Sequence, residues 1–373
     1  MDSNKKKKII IISAIVAAVL VILTVVGVIL YHKFQDYMER KSELLNTNEY
    51  TNENYQTRPT WENNTEPLTG EEALWPVVEH LEKVDKNGLD LICNTDDVLN
   101  VLLIGTDARY NETARSDSMI LVSLNSKTHK IVMTSFMRDM LVNIPGKWED
   151  RLNAAMSYGG PELLFQTLEE NFNVSVDYYA LVNFHSFVDV VEAMGGLDLE
   201  LLGPEITTIN HYLDELNVIF SRPHGTDYVK ASDVMDNGKF HLNGYQVLSY
   251  ARNRYTSTAS GQGADFGRTE RQRIVLEEMI EKAKSLSFSE IDHLLDVTFP
   301  LVQTNLPKDL IKSLARNALV YLFYDLESSS VPQTGMFSYA TYKGMSILQV
   351  DFKKINQYVY EQVYGEPAPS TTK

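Results

Sequence analysis

The sequence predicts an α/β core with helices on both faces of a sheet, because strand-like and helix-like segments alternate along the chain. Two segments set this pattern: VLNVLLIG at 98–105 is a continuous apolar run ending in glycine, and KIVMTSF at 130–136 is rich in β-branched residues. With 373 residues, 44% of them hydrophobic, the chain is long enough to bury a sizeable core.

The other elements are predicted from the same patterns. Apolar runs bounded by turn residues predict further strands at 119–124, 178–184 and 346–350. Helical periodicity predicts helices at 71–84, 160–172, 185–194, 243–251 and 268–285, within 289–324, and at 352–363.

The N-terminus predicts a membrane anchor. Four lysines at 5–8 precede the uncharged apolar run 9–31, which is long enough to cross a bilayer as one helix. A cleaved signal peptide is the competing interpretation, but a shorter apolar region and a small-residue cleavage site would then be expected, and Tyr31, His32 and Lys33 end this run. We therefore expect an uncleaved anchor with a cytoplasmic N-terminus and the rest of the chain outside the cell membrane.

Charge and cysteine content exclude several functions. The 34 Lys+Arg and 50 Asp+Glu give a net charge of -16; residues 1–33 hold five lysines and one aspartate (+4), so the remainder carries -20. Such an acidic domain repels nucleic acid, so we expect no nucleic-acid partner. A single cysteine, Cys93, excludes an internal disulfide and a cysteine metal cluster, and we interpret it as a small buried hydrophobe.

The arginines are unevenly distributed, and several follow apolar strand ends. Nine of the 13 fall at 109, 115, 138, 151, 252, 254, 268, 271 and 273. Arg268, Arg271 and Gln272 share one face near a helix N-terminus, where anions are favoured, and arginine suits bidentate phosphate contacts. Ordinary ion pairing is the alternative, which we prefer for Arg273 because acidic residues follow it; the set as a whole predicts an anion site.

Carboxylates lie among these arginines. Asp107 lies in the motif GTDAR and Asp117 in the motif ARSDS. Paired acids beside a phosphate site suggest Mg²⁺. Asp265, in ADFGR, is a third candidate, either as a ligand or as a base. The sequence has no Gly-x-x-x-x-Gly-Lys loop, no Gly-x-Ser-x-Gly and no His-Glu-x-x-His, and its eight histidines lack metal-like spacing.

Seven motifs occur in a familiar order. They are VLLIGTDAR (101–109), RSDSMILVSLN (115–125), SFMRDMLVNIPG (135–146), RLNAAMSYGG (151–160), FVDVVEAMGGLDLEL (187–201), LNGYQVLSYARNR (242–254) and DFGRTERQ (265–272). By these motifs the chain resembles the LytR–CpsA–Psr family of cell-wall glycopolymer ligases. It departs at Phe136 and Met137, where the family often has Ile-Pro.

The resemblance implies a fold and an activity. The fold would be an α–β–α sandwich around a mixed central sheet. The enzyme would move a glycopolymer, of teichoic acid or capsular type, from a polyprenyl pyrophosphate carrier to the C6 hydroxyl of N-acetylmuramic acid in peptidoglycan, forming a phosphodiester in a Gram-positive cell. The predicted segments are a basic cytoplasmic tail (1–8), a transmembrane helix (9–31), an extracytoplasmic stalk (32–96), a catalytic core (97–285), its C-terminal continuation (286–364) and a loose tail (365–373).

The same resemblance assigns roles to residues. Asp107 and Asp117 would hold Mg²⁺ or Mn²⁺, Arg138, Arg268 and Asp265 would act in catalysis, and Asp265 is our candidate for the base. The residues expected around the pyrophosphate are Arg109, Arg115, Arg138, Arg151, Arg252, Arg254, Arg268, Arg271 and Gln272. The polyprenyl tail would need an apolar channel, for which the candidates are Phe184, Phe187, Val188, Val191 and the strand YYALVNF (178–184); ordinary core packing is the alternative for each of them.

Two other functions remain as alternatives: the arginine set argues against the first, because pure sugar binding favours aromatics and amides, whereas the second could use the same residues. One is a non-catalytic anchored protein that binds lipid-linked or wall polysaccharide and acts in regulation. The other is a pyrophosphatase that releases the polymer to water.

Overall fold

The protein is described here by a computed structural model that places residues 33–44, 70–81, 84–93, 95–106, 115–229, 237–321 and 323–367. The predicted transmembrane segment 9–31 and most of the predicted stalk lie outside these ranges. Within them, no helix combines the length and apolar composition that crossing a bilayer requires.

Twelve strands are present in the described residues. They are β1 Val98–Thr106, β2 Ser116–Asn125, β3 Lys130–Phe136, β4 Leu141–Asn143, β5 Glu149–Arg151, β6 Tyr178–Asn183, β7 Leu197–Leu201, β8 Gly238–Leu242, β9 Gln303–Thr304, β10 Asp325–Val331, β11 Phe337–Tyr342 and β12 Met345–Val350. The predicted strands at 98–105, 119–124, 130–136, 178–184 and 346–350 are confirmed within one to three residues at each end.

The described residues also form ten α-helices. They are α1 33–42, α2 Ala154–Phe172, α3 Phe184–Ala193, α4 Gly203–Ile219, α5 Gly244–Arg252, α6 Ala264–Ser285, α7 Phe288–Leu301, α8 Lys308–Arg316, α9 Ala318–Tyr321 and α10 Phe352–Tyr364. The predicted helix at 71–84 is wrong: a 3₁₀ turn at Gly70–Leu74 ends just before Pro76, and no helix continues over 75–81.

A mixed six-stranded sheet forms the centre of the fold, in the order β10-β3-β2-β1-β6-β9. β1 pairs in parallel with β6, and β3 with β10, whereas the other neighbours are antiparallel. Burial alternates along β1: Leu102 and Ile104 are at most 1% exposed, while Leu103 is only partly buried. One sheet face is therefore sealed, and the other faces a less tightly filled space.

Helices cover both faces of this sheet, which confirms the predicted layering. α2 and α10 pack together and against β2, and their side chains join Leu102, Ile104 and Met119 in the main hydrophobic core. On the opposite face, α3, α4, α5 and α6 pack around a second core that includes Leu213 and Val247. Cys93 is partly rather than fully buried, and its backbone groups bond to a tyrosine hydroxyl.

The junction between α3 and α5 depends on a glycine. A Cβ at Gly244 would lie 2.6 Å from the carbonyl oxygen of Val188 and 3.0 Å from its Cγ1. We expect Gly244→Ala to lower the free energy of unfolding by about 1–3 kcal/mol, because one of the two helices must move. Chemical denaturation would measure this loss.

A matched glycine provides the control for that measurement. A Cβ at Gly238, in β8, would meet only a carbon of Phe240 at 3.6 Å, which is ordinary van der Waals contact. Gly238→Ala should therefore be nearly neutral. Equal stabilities for the two variants would contradict the close approach between α3 and α5.

Candidate functional site

The ends of four strands meet at one edge of the central sheet. The carboxyl ends of β1 and β6 lie side by side, with Thr106 opposite Asn183, and the amino end of β2 pairs with the end of β1. β3 runs antiparallel to β2, so its carboxyl end reaches the same edge. Asp117 is the second residue of β2, and Arg138 follows β3 by two residues, so both belong to this edge.

Helix α6 adds two more charged side chains here. Arg138 contacts both carboxylates: Nη1 lies 2.5 Å from Asp117 Oδ1, and Nη2 lies 3.2 Å from Asp265 Oδ1. Arg268 repeats the pattern, with Nη2 3.0 Å from Asp265 Oδ1 and Nη1 3.8 Å from Asp117 Oδ1. These four residues form one connected group, which we call the arginine–aspartate cluster.

Burial makes the cluster electrostatically strong. The side chains of Arg268 and Arg138 are 7% and 17% exposed, and that of Asp265 is 15% exposed. Burial lowers the pKa of Arg268. Burial also opposes the charge on Arg138, but the attraction of Asp265, Asp139 and Asp117 outweighs it and raises the pKa of Arg138. Arginine stays protonated in proteins, so two fixed cations are concentrated in a weakly screened place.

A cavity of about 460 Å³ extends from the cluster between the sheet and the helices on its less tightly filled face. Arg138, Arg268 and Asp117 lie in its wall. Most of the remaining lining is apolar and includes Leu103, Ile120, Ala180, Val182, Phe184, Phe187, Val190, Ile219, Leu248, Val275, Leu276, Met279 and Val302. A charged end on an apolar chamber suits an amphiphile with an anionic head and a long hydrocarbon chain.

Phe184 and Phe187 line this cavity, as expected for the predicted channel. Val188 and Val191 do not: they are 2% and 0% exposed and pack against neighbouring helices. Alternation along a helix explains this difference, since one side of α3 faces the cavity and the other faces its neighbours.

Three other predicted residues also border the cavity: Arg252, Arg254 and Gln272. The Arg252 guanidinium lies 5.1 Å from the ring centroid of Phe184 and 5.2 Å from that of Tyr212, and Nη2 lies 3.4 Å from Glu215 Oε2. Arg254 is exposed to solvent. Arg252 and Arg254 therefore add two guanidinium groups to the cavity wall beyond the cluster.

Two predicted arginines do not reach the cavity. Arg271 is completely buried, and its guanidinium binds Glu205 at 2.6 Å and the carbonyl oxygens of Asn253 and Thr256 at 3.1 and 3.0 Å. Arg151 donates to the carbonyl of Ser346 at 2.5 Å and lies 3.3 Å from Asp139. Both are held by contacts within the protein in this structure, and their role around the pyrophosphate stays a prediction.

Asp139 was missed by sequence reasoning. Its carboxylate lies 3.3 Å from Arg151 and 3.7 Å from Arg138, so it links the two arginines. Its position directly after Arg138 was the available signal. Arg115 is exposed at the start of β2, and Asp107 and Arg109 lie outside the described residues.

The carboxylates of the cluster have the chemistry of a Mg²⁺ site. Carboxylate oxygens are the ligands that this hard cation prefers, and Asp265 Oδ1 is buried without a well-aligned hydrogen bond although two guanidinium groups are near. No group of three or more potential metal ligands was found within the described part of the chain. Of the predicted metal pair, only Asp117 lies in the described residues, so the structure shows one carboxylate of that pair.

Comparison with known proteins identifies relatives of this chain. Polyisoprenyl-teichoic acid–peptidoglycan teichoic acid transferase TagU of Oceanobacillus iheyensis is 34% identical over 228 residues, which cover 59% of this chain and 63% of the relative. The TagU transferase of Bacillus cereus is 32% identical over 240 residues, covering 63% of this chain and 69% of the relative. Less than two thirds of the first relative is thus spanned.

A solved structure shares the fold. TagT bound to LI-WTA superposes with a TM-score of 0.55 at 26% identity, covering 72% of this chain and 92% of that chain. Its agreement supports the mixed central sheet with helices on both faces. The LytR_cpsA_psr family model matches residues 43–363. Since this match takes in most of the chain, including the whole cluster and the cavity, the protein belongs to the LytR_cpsA_psr family.

Proposed function

We propose that this protein is a transferase that moves a glycopolymer of teichoic acid or capsular type from a polyprenyl pyrophosphate carrier to peptidoglycan. The observation that carries the proposal is the arginine–aspartate cluster at the end of an apolar cavity of about 460 Å³. The names of the two TagU relatives contain the same three components: a polyisoprenyl carrier, a teichoic acid and peptidoglycan.

The cavity has an apolar part and a charged end, and such a donor has a hydrocarbon chain and a charged pyrophosphate. Its apolar lining would take the polyprenyl chain, since burial of hydrocarbon is favourable at about 0.8 kcal/mol per CH₂ group. Arg138 and Arg268 would bind the pyrophosphate oxygens, with Arg252, Arg254 and Gln272 further along the wall. Arg115 and the undescribed Arg109 remain candidates at the edge of this site.

The proposed reaction is a phosphoryl transfer. The C6 hydroxyl of N-acetylmuramic acid attacks the phosphorus that carries the sugar, a new P–O bond forms, and the bond to the bridging oxygen breaks. Polyprenyl phosphate leaves with the electron pair, and the product is a phosphodiester. Positioning and charge stabilisation dominate such reactions, so Arg138 and Arg268 would stabilise the negative charge that develops on the leaving phosphate.

Asp265 would accept the proton from the attacking hydroxyl. In the structure it is tied to both arginines of the cluster, at 3.0 and 3.2 Å. A pyrophosphate that binds these arginines competes with Asp265 for their N–H groups. Donor binding would then free Asp265 to receive the proton, so the base would become available only when the donor is in place.

A divalent cation, Mg²⁺ or Mn²⁺, would be held by Asp117 together with Asp107, which lies outside the described residues. When bound, it would neutralise charge on the phosphate oxygens. We also propose that residues 9–31 anchor the protein in the cell membrane with its catalytic domain outside, because a polyprenyl carrier resides in the membrane.

The activity would be tested with the full chain in detergent micelles. A short polyprenyl-pyrophosphate oligosaccharide, uncross-linked peptidoglycan chains and Mg²⁺ are mixed, and the products are identified by mass spectrometry. We expect a sugar-phosphate adduct on peptidoglycan, lost with a chelator and restored by Mg²⁺ or Mn²⁺. Release of sugar phosphate to water regardless of acceptor would indicate a pyrophosphatase, and binding without turnover of several donors would indicate a regulator.

A substitution that fills the cavity should weaken donor binding. Val182 lines the cavity, and Val182→Trp should raise the dissociation constant for polyprenyl pyrophosphate about tenfold, because the indole takes space needed by the chain. Val218, on α4, is 80% exposed, so Val218→Trp makes the same change at the surface. Equal affinities for the two variants, measured by calorimetry, would place the carrier elsewhere.

A further inference from the structure

A second cavity, of about 420 Å³, lies on another side of α6. Arg268, Gln272 and Val275 line the first cavity, whereas Phe266 and Arg273 line the second. With 3.6 residues per turn, these two sets project from different sides of the helix. The second cavity is polar, and β10 contributes Ser328, Ser329 and Ser330 to its wall.

The second cavity has hydrogen-bonding capacity that the protein does not use. Arg273 was expected to pair with the acids that follow it, yet no carboxylate lies within 4.0 Å of its guanidinium among the described residues, and its bond is a long one, 3.4 Å, to the carbonyl of Thr269. Oε2 of Glu270 instead accepts from the hydroxyls of Thr258 and Ser260, at 2.8 and 2.7 Å.

A row of aromatic rings leads from this cavity to the surface. Phe266, in the cavity wall, stacks on Phe337 with centroids 5.1 Å apart, and Phe337 meets Tyr339 edge-on at 5.4 Å. Tyr339 is 47% exposed and stacks on Trp75 at 4.8 Å. We call these four residues the aromatic row.

These features together match a saccharide. A pyranose ring offers an apolar CH face that stacks on an aromatic ring, and it carries hydroxyl and amide groups that bond to serine and glutamine. Arg273, Glu270 and Glu277 in the same wall can donate to and accept from the hydroxyl and amide groups of a sugar. Nucleic acid would be repelled by Glu270 and Glu277 in the same wall, and a lipid chain would find little apolar lining.

We propose that the second cavity and the aromatic row bind the glycan strand of the acceptor, a peptidoglycan oligosaccharide. This inference rests on the proposed function. The donor carrier would occupy the first cavity, so the acceptor needs another approach to the reacting group. Phe266 directly follows Asp265, which places this second surface next to the proposed base at the start of α6.

The test measures acceptor and donor binding separately, with the full chain in detergent micelles. The probes are soluble uncross-linked peptidoglycan fragments and polyprenyl pyrophosphate, titrated by calorimetry. Tyr339→Ala and Trp75→Ala should each weaken fragment binding about tenfold and raise the acceptor KM with little change in kcat, because they remove stacking surface and leave the cluster intact. Donor affinity should not change.

Two further comparisons complete the test. Phe323 is 88% exposed and lies outside the row, so Phe323→Ala should leave fragment binding unchanged. Arg273→Gln should also weaken fragment binding, because it removes the guanidinium from the cavity wall. The proposal is overturned if wild-type protein binds no fragment, or if the Tyr339 and Trp75 variants bind like wild type. Fragment binding without transfer would refute only the transferase function, and transfer that these variants leave unchanged would refute only this site.

Discussion

Arg138→Ala should lower the rate of glycopolymer transfer by about a thousandfold, because it removes the cation that contacts both aspartates and faces the cavity. Arg138→Lys keeps the charge but loses the planar fork, so we expect an intermediate loss of about a hundredfold. Steady-state rates from the mass-spectrometric assay, with donor affinity from calorimetry, would measure both effects.

Arg254 supplies the control for this comparison. It borders the same cavity but is exposed, so solvent screens its charge. Arg254→Ala should reduce the rate by less than about tenfold. Thermal unfolding of each variant separates lost activity from lost structure, since removal of Arg138 also leaves Asp117 and Asp265 with one fewer counterion. Folded Arg138→Ala protein with the wild-type rate would contradict the proposed role of the cluster.

The central sheet and the cluster were predictable because the signals are local. Continuous apolar runs identify β1 and β3, and the motifs that carry Asp117 and Arg138 stand directly beside those runs. Since strand ends of a common sheet edge converge, charged residues at such ends meet in space. The pairing of each arginine with an aspartate was not predictable, because it depends on distances between segments far apart in the sequence.

Helix α4 shows a signal that was present but not used. Ile206, Ile209, Leu213 and Leu216 are spaced by three and four residues, and each is at most 1% exposed. This stripe predicts a helix over this region. Without α4 the sequence offered no partner for Arg271, so it is grouped with the other arginines predicted around the pyrophosphate.

Strand β10 illustrates a second limit of prediction from the sequence. β10 has the sequence DLESSSV, which has little apolar character, yet it pairs in parallel with β3 along its whole length. Neighbouring strands, rather than intrinsic propensity, determine such a segment. The serines that make β10 hard to predict also line the second cavity.

Glu205→Ala should lower the free energy of unfolding by about 3–5 kcal/mol, because it leaves the fully buried guanidinium of Arg271 without its counter-charge. Glu205 Oε2 also accepts the backbone N–H of Leu202 at 2.9 Å, so the start of α4 loses a cap as well. Urea denaturation would measure the change. Exposed Glu215→Ala on the same helix is the control and should change stability by less than about 1 kcal/mol.

The double variant Glu205→Leu with Arg271→Met separates two contributions to the free energy of unfolding: the loss caused by one unpaired buried charge, and the net stabilisation from the ion pair. Removing both charges should recover part of the stability lost in either single variant, although the carbonyl groups of Asn253 and Thr256 lose their donor. Donor affinity should remain at the wild-type level in every variant that stays folded, because Arg271 does not line the cavity. A folded Arg271→Met protein with wild-type stability but no binding of polyprenyl pyrophosphate would contradict this. Arg271 would then bind the phosphates directly, and α6 would have to rotate when the carrier binds.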